Sequence, residues 1–335
     1  MAMNPPPPDS KYINLLLSNQ EIIPIPVYED PSSYYHSREK EEAYNPLDPQ
    51  DFEQFVGQVQ PKAVLDVIID AANKENRLIP NILLTGAYGH GKTTLARLIA
   101  KRHNKKSYII DGASIIGYTQ PNSHSIYIVD EAHNIPAQVT DSLNILIDSG
   151  DLRIIACTTN PGGLPAPFRS RFRMIYLEEY SVQEIGQIIK NASKRLSIKI
   201  EKPSIENIAK RSKLNPRVAL NLLSFVREVY VSTGNKAKII GESVVSEALS
   251  KLEIDELGLT TLDRKYLEIL NEEDPVGIQY ISSILSLDSD TVQEEIEPYL
   301  IRSGLVRRTP RGRVKVSAAN TYKISMSDVM KKLGL

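Results

Sequence analysis

The middle of the chain has the apolar pattern of buried strands alternating with helices. Four short apolar runs are typical of strands, the first of them of a buried strand, and they lie at 81–85, 108–110, 125–131 and 151–160. Helical spacing is found before and after the first of them, so we interpret this part as a parallel sheet between helices. In a helix expected at 60–77, the inward residues would be Val64, Leu65, Val67, Ile68 and Ala71. A turn leading into a helix is expected at 46–58, with Phe52, Phe55 and Val56 on one face.

The second half of the chain has the spacing of helices. Ser181 to Glu184 form a capping-box pattern before the first helix, and Asn215-Pro216 predicts another helix start. After residue 256, helices are expected at 260–272, 277–285 and 289–302, and strands at 305–308 and 313–316. Three helices followed by a β-hairpin favour a winged-helix arrangement.

Composition excludes several classes of protein. With 41% hydrophobic and 24% charged residues the chain reads as an ordinary globular protein of two or three domains. One cysteine, Cys157, excludes an internal disulfide framework and fits a reducing compartment, so a cytoplasmic location is expected. No apolar run is long enough to span a bilayer, and the N-terminus lacks the features of a secretion signal.

One stretch carries a specific chemical pattern, Gly86-Ala-Tyr-Gly-His-Gly-Lys-Thr-Thr94. It fits the phosphate-loop pattern G-x-x-x-x-G-K-[ST] and lies between a predicted strand and a predicted helix. Gly86, Gly89 and Gly91 let the backbone wrap an anion, so that successive N–H groups face phosphates. Lys92 would neutralise the β- and γ-phosphates of ATP, and the Thr93 hydroxyl would hold Mg²⁺, with Thr94 beside it.

Polar residues end the third and fourth apolar runs. Asp130 and Glu131 close the run at 125–131, and Asn160 closes the run at 151–160. Because ligands bind at the carboxyl ends of parallel strands, we expect Asp130 at the Mg²⁺ and Glu131 at the attacking water. Asn160 would contact a γ-phosphate or that water, although Asn160-Pro-Gly-Gly163 is also ordinary turn chemistry. The letters Asp130-Glu-Ala-His133 match a helicase box, but we interpret His133 as a surface or supporting residue.

Several arginines are candidates for contact with phosphates. Arg169 and Arg171 follow the loop after the fourth strand, and Arg217 lies in the first turn of a predicted helix, where a cation is unfavourable. Such arginines are also commonly just solvated. Near the C-terminus, the segment from Ile301 to Lys315 carries six positive charges and no acid, which favours contact with the DNA backbone over a solvated turn.

These segments resemble the RuvB family, the AAA+ motors of Holliday-junction branch migration, from about residue 46 to residue 320. The most specific motifs are Leu262-Asp-Arg-Lys-Tyr-Leu267, Pro275-Val-Gly277, Glu297-Pro-Tyr-Leu-Ile301 and Arg308-Thr-Pro-Arg-Gly-Arg-Val314. The resemblance implies an α/β AAA+ P-loop NTPase module with a helical lid and a C-terminal winged-helix domain. The domains would be an extended or flexible arm at 1–45, the nucleotide-binding domain at 46–180, the lid at 181–255 and the DNA-binding winged helix at 256–335.

The resemblance also implies roles for single residues. Phosphates and Mg²⁺ would be bound by Lys92, Thr93 and Thr94. The Walker B pair would be Asp130 and Glu131, with Asn160 as the sensor. Arg171 resembles the arginine finger that acts on a neighbouring subunit, Tyr180 a tyrosine of the nucleotide site, and Arg217 the lid arginine. The DNA-contacting residues of the wing would be Arg308 and Arg313, with Arg311 between them.

Three departures from the family pattern stand out. Asp48-Pro49 replaces an Arg-Pro pair, and the loop has Ala87, Tyr88 and His90 where the family has two prolines and a leucine. The segment 132–157 has room for only one helix and one strand, whereas the family carries there a β-hairpin that docks onto RuvA. We therefore expect a divergent relative whose adaptor is unknown and whose contact with RuvA is doubtful.

The expected function is that of an ATP-driven motor on duplex or branched DNA, which assembles as a ring, by resemblance a hexamer. Two alternatives remain at this point. One is a clamp-loader-like or initiator-like AAA+ switch that positions a partner on DNA without translocating. The other is a winged-helix regulator whose ATPase only controls assembly.

Overall fold

A computed structural model describes residues 45–117, 124–234 and 239–316, together with two N-terminal strands. These strands, β1 (Lys11–Leu16) and β2 (Ile22–Val27), pair antiparallel, which the irregular sequence of residues 1–45 did not predict. The rest of the expected arm lies outside the described residues. The remaining chain divides into two compact units, one with Gln60–Thr85 and Lys92–Tyr176, the other with Pro46–Val59, Gly86–Gly91 and the residues from Leu177 onward.

The first unit is built on a parallel sheet of five strands. The strands are β3 (Ile82–Thr85), β4 (Ser107–Asp111), β5 (Ile126–Asp130), β6 (Ile154–Thr158) and β7 (Arg173–Tyr176). Their order is β4-β5-β6-β3-β7, and every neighbouring pair is parallel. The four strands predicted from sequence are confirmed, although in β4 only Ile110 is buried. β3 lies inside the sheet, between β6 and β7.

Helices cover this sheet. They are α1 (Val59–Lys74), α2 (Lys92–Arg102), α3 (Ala137–Ser149) and the short α4 (Ala166–Arg169). In α1 the buried residues are Pro61, Leu65, Ile68, Ile69 and Ala72. Val64 and Val67 are 44% and 70% exposed, so their predicted inward position was wrong. The apolar arc of α1 is wider than the face that the rest of the protein covers.

The segment between β5 and β6 contains one short 3-10 turn, Ala132–Asn134, and the single helix α3. No strand occurs at 131–153, so the expected helix followed by a strand is confirmed, with β6 as the strand. The helix predicted at 46–58 is absent, because this segment consists of turns and bends. Phe52 and Phe55 are nevertheless buried, as expected.

The second unit begins, after Tyr176, with four helices around their own apolar core. They are α5 (Val182–Arg195), α6 (Lys202–Arg211), α7 (Pro216–Ser232) and α8 (Glu242–Lys251). The capping box predicted from sequence is present, since Ser181 and Glu184 exchange hydrogen bonds at the start of α5. Ile185, Ile189, Leu223 and Val245 are fully buried in the core.

A second core in this unit belongs to the C-terminal helices and hairpin. The elements are α9 (Thr261–Ile269), α10 (Ile278–Leu285), α11 (Ser289–Thr291), a π-helical stretch (Val292–Ile296), α12 (Glu297–Arg302), β8 (Val306–Thr309) and β9 (Gly312–Lys315). β8 and β9 pair antiparallel, and Tyr266, Ile281 and Leu300 fill the core. This is the predicted winged-helix arrangement. Among the helices of the described part of the chain, none has the length and apolar character of a transmembrane span.

Candidate functional sites

The first unit places the loop lysine and threonines at the N-terminus of a helix. Helix α2 begins at Lys92, so Lys92, Thr93 and Thr94 form its first turn, where N–H groups have no partner within the helix. These groups and the helix dipole favour an anion. Lys92 is 6% exposed, and a lysine so deeply buried in an anion-binding turn is suited to a phosphate group.

Thr93 and Asp130 are in direct contact. The Thr93 hydroxyl donates a hydrogen bond of 2.9 Å to Asp130 Oδ1, although the two residues are 37 positions apart in the chain. Asp130 is the last residue of β5, so the parallel sheet brings its carboxylate to the start of α2. A hydroxyl and a carboxylate oxygen at this spacing are hard oxygen ligands, which Mg²⁺ prefers beside phosphates and water. The donor set therefore fits the ion.

Glu131 is held in an uncommon backbone conformation. Its φ is 45° and its ψ is 50°, in the left-handed region that costs a non-glycine residue about 1–3 kcal/mol when it is imposed at a functional site. Its amide donates to Asp130 Oδ1 at 3.2 Å. Gly112 allows this arrangement, because a Cβ there would lie 2.5 Å from the Glu131 carbonyl oxygen. The turn thus directs the two neighbouring carboxylates differently.

His133 and Thr158 lie next to Glu131, and neither carries a strong signal in the sequence. His133 Nδ1 lies 3.4 Å from Glu131 Oε2 and 3.0 Å from Thr158 Oγ1. Thr158 is fully buried at the end of β6. His133 thus lies beside the carboxylate, and its role as a supporting residue, one of the two interpretations that the sequence allowed, stays a prediction. Thr158 was missed, because a threonine at a strand end is unremarkable in sequence.

In this structure Asn160 caps a turn, which is one of the two roles that the sequence allowed. Its side chain is exposed, and Oδ1 accepts a hydrogen bond of 3.2 Å from the Gly163 amide. Its own amide donates to Thr158 Oγ1 at 3.0 Å. It caps the 3-10 turn Pro161–Gly163 directly after β6, at the same strand-end edge as Asp130. The sensor role inferred from the resemblance stays a prediction.

Arg171 is paired with an acid of its own chain. Nε and one terminal nitrogen donate to the two carboxylate oxygens of Asp148, at 2.8 and 2.6 Å, and the other terminal nitrogen donates to the Pro167 carbonyl. This bidentate contact with Arg171 lowers the pKa of the Asp148 carboxyl. Both side chains remain partly exposed, so the guanidinium is oriented at the surface of the first unit.

In the second unit, residues 177–217 contact the loop glycines and their neighbours. The hydroxyl of Tyr180, a buried residue, donates to the His90 carbonyl at 3.2 Å, and burial raises the pKa of this phenol. Gly86, Gly89 and Gly91 are closely surrounded. An added Cβ would lie 3.0 Å from Leu177 Cβ at Gly86, 2.4 Å from Asn215 Oδ1 at Gly89 and 3.2 Å from the Phe55 ring at Gly91. Gly89 and Gly91 also have positive φ, so both conformation and space demand glycine.

The predicted DNA-contacting arginines of the wing differ in their surroundings. Arg308 and Arg313 both donate to the carboxylate of Glu297, each at 2.7 Å through Nε, and Glu297 is fully buried. The side chain of Arg313 is only 13% exposed and that of Arg308 is 47% exposed. Arg311 is exposed at the hairpin turn. Arg308 and Arg313 therefore share an internal acidic partner, whereas Arg311 is exposed at the turn, and contact of these three arginines with DNA stays a prediction.

Comparison with known proteins finds relatives for the nucleotide-binding, lid and winged-helix parts of the chain. Family models match at 47–155 (Holliday junction DNA helicase RuvB P-loop domain), 180–255 (RuvB AAA lid domain) and 256–322 (RuvB C-terminal winged helix domain). The Holliday junction branch migration complex subunit RuvB of Pseudothermotoga lettingae is 37% identical over 306 residues, which is 82% of this chain and 88% of that protein. The protein of the same name from Neorickettsia sennetsu is 33% identical over 317 residues, 85% of this chain and 95% of that one.

A solved structure supports the same assignment. The Thermotoga maritima RuvB Holliday junction branch migration motor aligns with a TM-score of 0.76 and 31% identity, covering 84% of this chain and 99% of the other. Similarity thus extends from the P-loop domain through the winged helix. The chain belongs to the RuvB family.

Proposed function

We propose that this chain is an ATP-hydrolysing DNA motor that moves branched DNA such as a Holliday junction. The observation that carries the proposal is the contact between Thr93 and Asp130 at the N-terminus of α2, with Glu131 beside it. Relatives that share the whole P-loop, lid and winged-helix arrangement are named as subunits of the branch migration complex. Similarity over this length favours a motor over an AAA+ switch that only positions a partner.

Hydrolysis would be phosphoryl transfer to water, in which the protein supplies position and charge. The first turn of α2 and Lys92 would bind the β- and γ-phosphates. Mg²⁺, held through Thr93 and Asp130, would neutralise charge on the phosphate oxygens. Glu131 would accept a proton from the attacking water; its backbone is left-handed, and its Oε2 lies 3.4 Å from His133 Nδ1. Asn160 would sense the γ-phosphate.

Other groups would complete the site from the lid and from a neighbouring subunit. Tyr180 and Arg217 would contact the nucleotide of their own chain. Arg171 would act on the neighbour's γ-phosphate, so activity would require a ring, by resemblance a hexamer. Within its own chain Arg171 is paired with Asp148, which is also what a purely structural arginine would do, and mixing Arg171→Ala with Lys92→Ala subunits distinguishes the two roles.

DNA would be bound by the wing. Arg311 is exposed at the turn between β8 and β9, and Arg307 is exposed on β8. Arg308 is half exposed beside its partner Glu297 and could reach a phosphate with its outer edge, whereas Arg313 would mainly hold the wing in place. A contact with a RuvA-type adaptor is doubtful, because only α3 and a short turn occupy 131–153, so the chain would use another adaptor or none.

A strand-displacement assay on a synthetic four-way junction tests this function. Purified wild-type chain with ATP and Mg²⁺ should convert the junction into its duplex products, and Lys92→Ala should not. ATP-dependent binding of the junction without product formation would instead favour the switch that positions a partner. Movement without ATP, or by Lys92→Ala, would contradict the proposed motor.

A further inference from the structure

The phosphate loop carries two aromatic side chains, and both contact residues of the second unit. The Arg217 guanidinium carbon lies 4.5 Å from the ring centroid of Tyr88. The ring of His90 meets that of Tyr180 edge-on, with 5.6 Å between centroids. Both contacts lie within the second unit, to which Gly86–Gly91 and the residues from Leu177 onward belong.

Asn215 joins the same two segments through its side-chain amide. Nδ2 donates a hydrogen bond of 2.8 Å to the Tyr88 carbonyl. Oδ1 accepts from the amides of Arg217 and Val218, at 2.9 and 3.3 Å, and thereby caps α7. One side chain thus fixes the first turn of α7 against the backbone of Tyr88. Gly89 is required for this approach, because a Cβ there would collide with Asn215.

We propose that Tyr88 and Asn215 are positioning residues for Arg217, and that they hold its guanidinium over the phosphate loop before ATP binds. The inference rests on the proposed function of the nucleotide site. Asn215 sets the position of the turn that carries Arg217, and the Tyr88 ring sets the direction of its side chain.

The contact with the Tyr88 ring leaves the hydrogen-bond donors of Arg217 available. A cation–π interaction uses the charge of the guanidinium and none of its five N–H donors. Arg217 can therefore stay over the ring while its N–H groups bind phosphate oxygens. Arg217 is exposed and lies in the first turn of α7, where the helix dipole repels a cation. Without the ring its long side chain would sample many rotamers, and ordering it on ATP binding would cost free energy.

The test is ATP hydrolysis by the full chain, with kcat and KM measured separately in the absence of DNA. Tyr88→Leu keeps an apolar side chain and the carbonyl that Asn215 binds, but removes the ring. It should lower kcat/KM about two- to fivefold, the range expected for a cation–π contact at an exposed site. Tyr88→Phe keeps the ring face and should restore the wild-type value. Tyr280→Leu, at a tyrosine 61% exposed in α10, is the matched control.

Two further variants separate positioning from general stability. In Arg217→Ala, adding Tyr88→Leu should cause no further loss, because the ring acts through Arg217. Asn215→Ser keeps a helix cap but is too short to reach Tyr88, and it should lower kcat/KM without lowering the melting temperature. If Asn215→Ser matches the wild type, Asn215 is not a positioning residue.

The outcomes distinguish this inference from the function on which it rests. A wild-type kcat/KM in Tyr88→Leu, a tighter affinity for ATP in that variant, or an additive loss in the double variant would each overturn the role of Tyr88. In all three cases ATP hydrolysis by the wild type would leave the proposed function standing. No ATP binding by the wild-type chain, measured by calorimetry, would overturn the proposed function and this inference together.

Discussion

A buried carboxylate in the winged helix allows a quantitative prediction. Glu297, at the start of α12, is fully buried and accepts hydrogen bonds from Arg308, Arg313 and the hydroxyl of Tyr266, the last at 2.8 Å. Burial is the largest cause that raises the pKa of the Tyr266 phenol, and the neighbouring Glu297 carboxylate raises it further. The phenol therefore stays protonated and donates this hydrogen bond. The cluster joins α9, α12 and both strands of the wing.

Glu297→Gln should destabilise the wing by about 3 kcal/mol or more. The amide keeps the size of the side chain but removes the charge that compensates Arg313, and breaking a buried ion pair from one side typically costs about 3–5 kcal/mol. Arg308→Met should cost at most about 1 kcal/mol, because this arginine is 47% exposed and its pair is screened by solvent.

Hydrogen exchange read by mass spectrometry measures this effect locally in the full chain. Peptides that cover β8 and β9 should exchange about 100-fold faster in Glu297→Gln, since about 1.4 kcal/mol corresponds to a factor of ten. Glu295→Gln is the matched control, because Glu295 is exposed and lies two residues away. Equal exchange in Glu297→Gln and Glu295→Gln, or an equally large effect of Arg308→Met, would refute the argument.

Three further predictions concern the proposed motor. Glu131→Gln should bind ATP with near wild-type affinity in calorimetry yet hydrolyse it very slowly, because an amide cannot accept the proton; near-normal turnover would mean that another residue activates the water. Arg171→Ala should lower kcat by about 10³-fold or more, and mixing it with Lys92→Ala should partly restore hydrolysis if the arginine acts on a neighbour; no recovery in mixed oligomers shown to form would refute this. Arg311→Ala should weaken DNA binding for all sequences and reduce the salt slope of log K by about 1, whereas an unchanged slope would exclude a phosphate contact.

The sequence by itself determined the local elements of the nucleotide site. The phosphate loop is a contiguous pattern whose glycines, lysine and threonines have fixed spacing, and short apolar runs predicted the strands before and after it. Asp130 lies beside Thr93, as expected for a residue that ends a parallel strand at the edge where the phosphate loop begins its helix, and its contact with Mg²⁺ stays a prediction. Helix starts at Ser181 and Asn215 were also predictable, since capping depends on residues only a few positions apart.

The buried face of α1 was decided by tertiary packing. Periodicity showed that Val64 and Val67 belong to an apolar arc, but how much of that arc is covered depends on the neighbouring elements. The helix expected at 46–58 failed for a related reason, since buried phenylalanines can be placed by turns as well as by a helix.

The partners of charged residues were likewise decided only by the tertiary structure. The charge pattern predicted that Arg308, Arg311 and Arg313 all contact DNA. In the structure, Arg308 and Arg313 donate hydrogen bonds to Glu297, a buried acid that precedes them by 11 and 16 residues, respectively. Arg171 likewise pairs with Asp148, which lies 23 residues earlier in the chain. The sequence cannot distinguish a solvated charged residue from a paired one, because the free energy of a charge depends on its burial and on its neighbours in space.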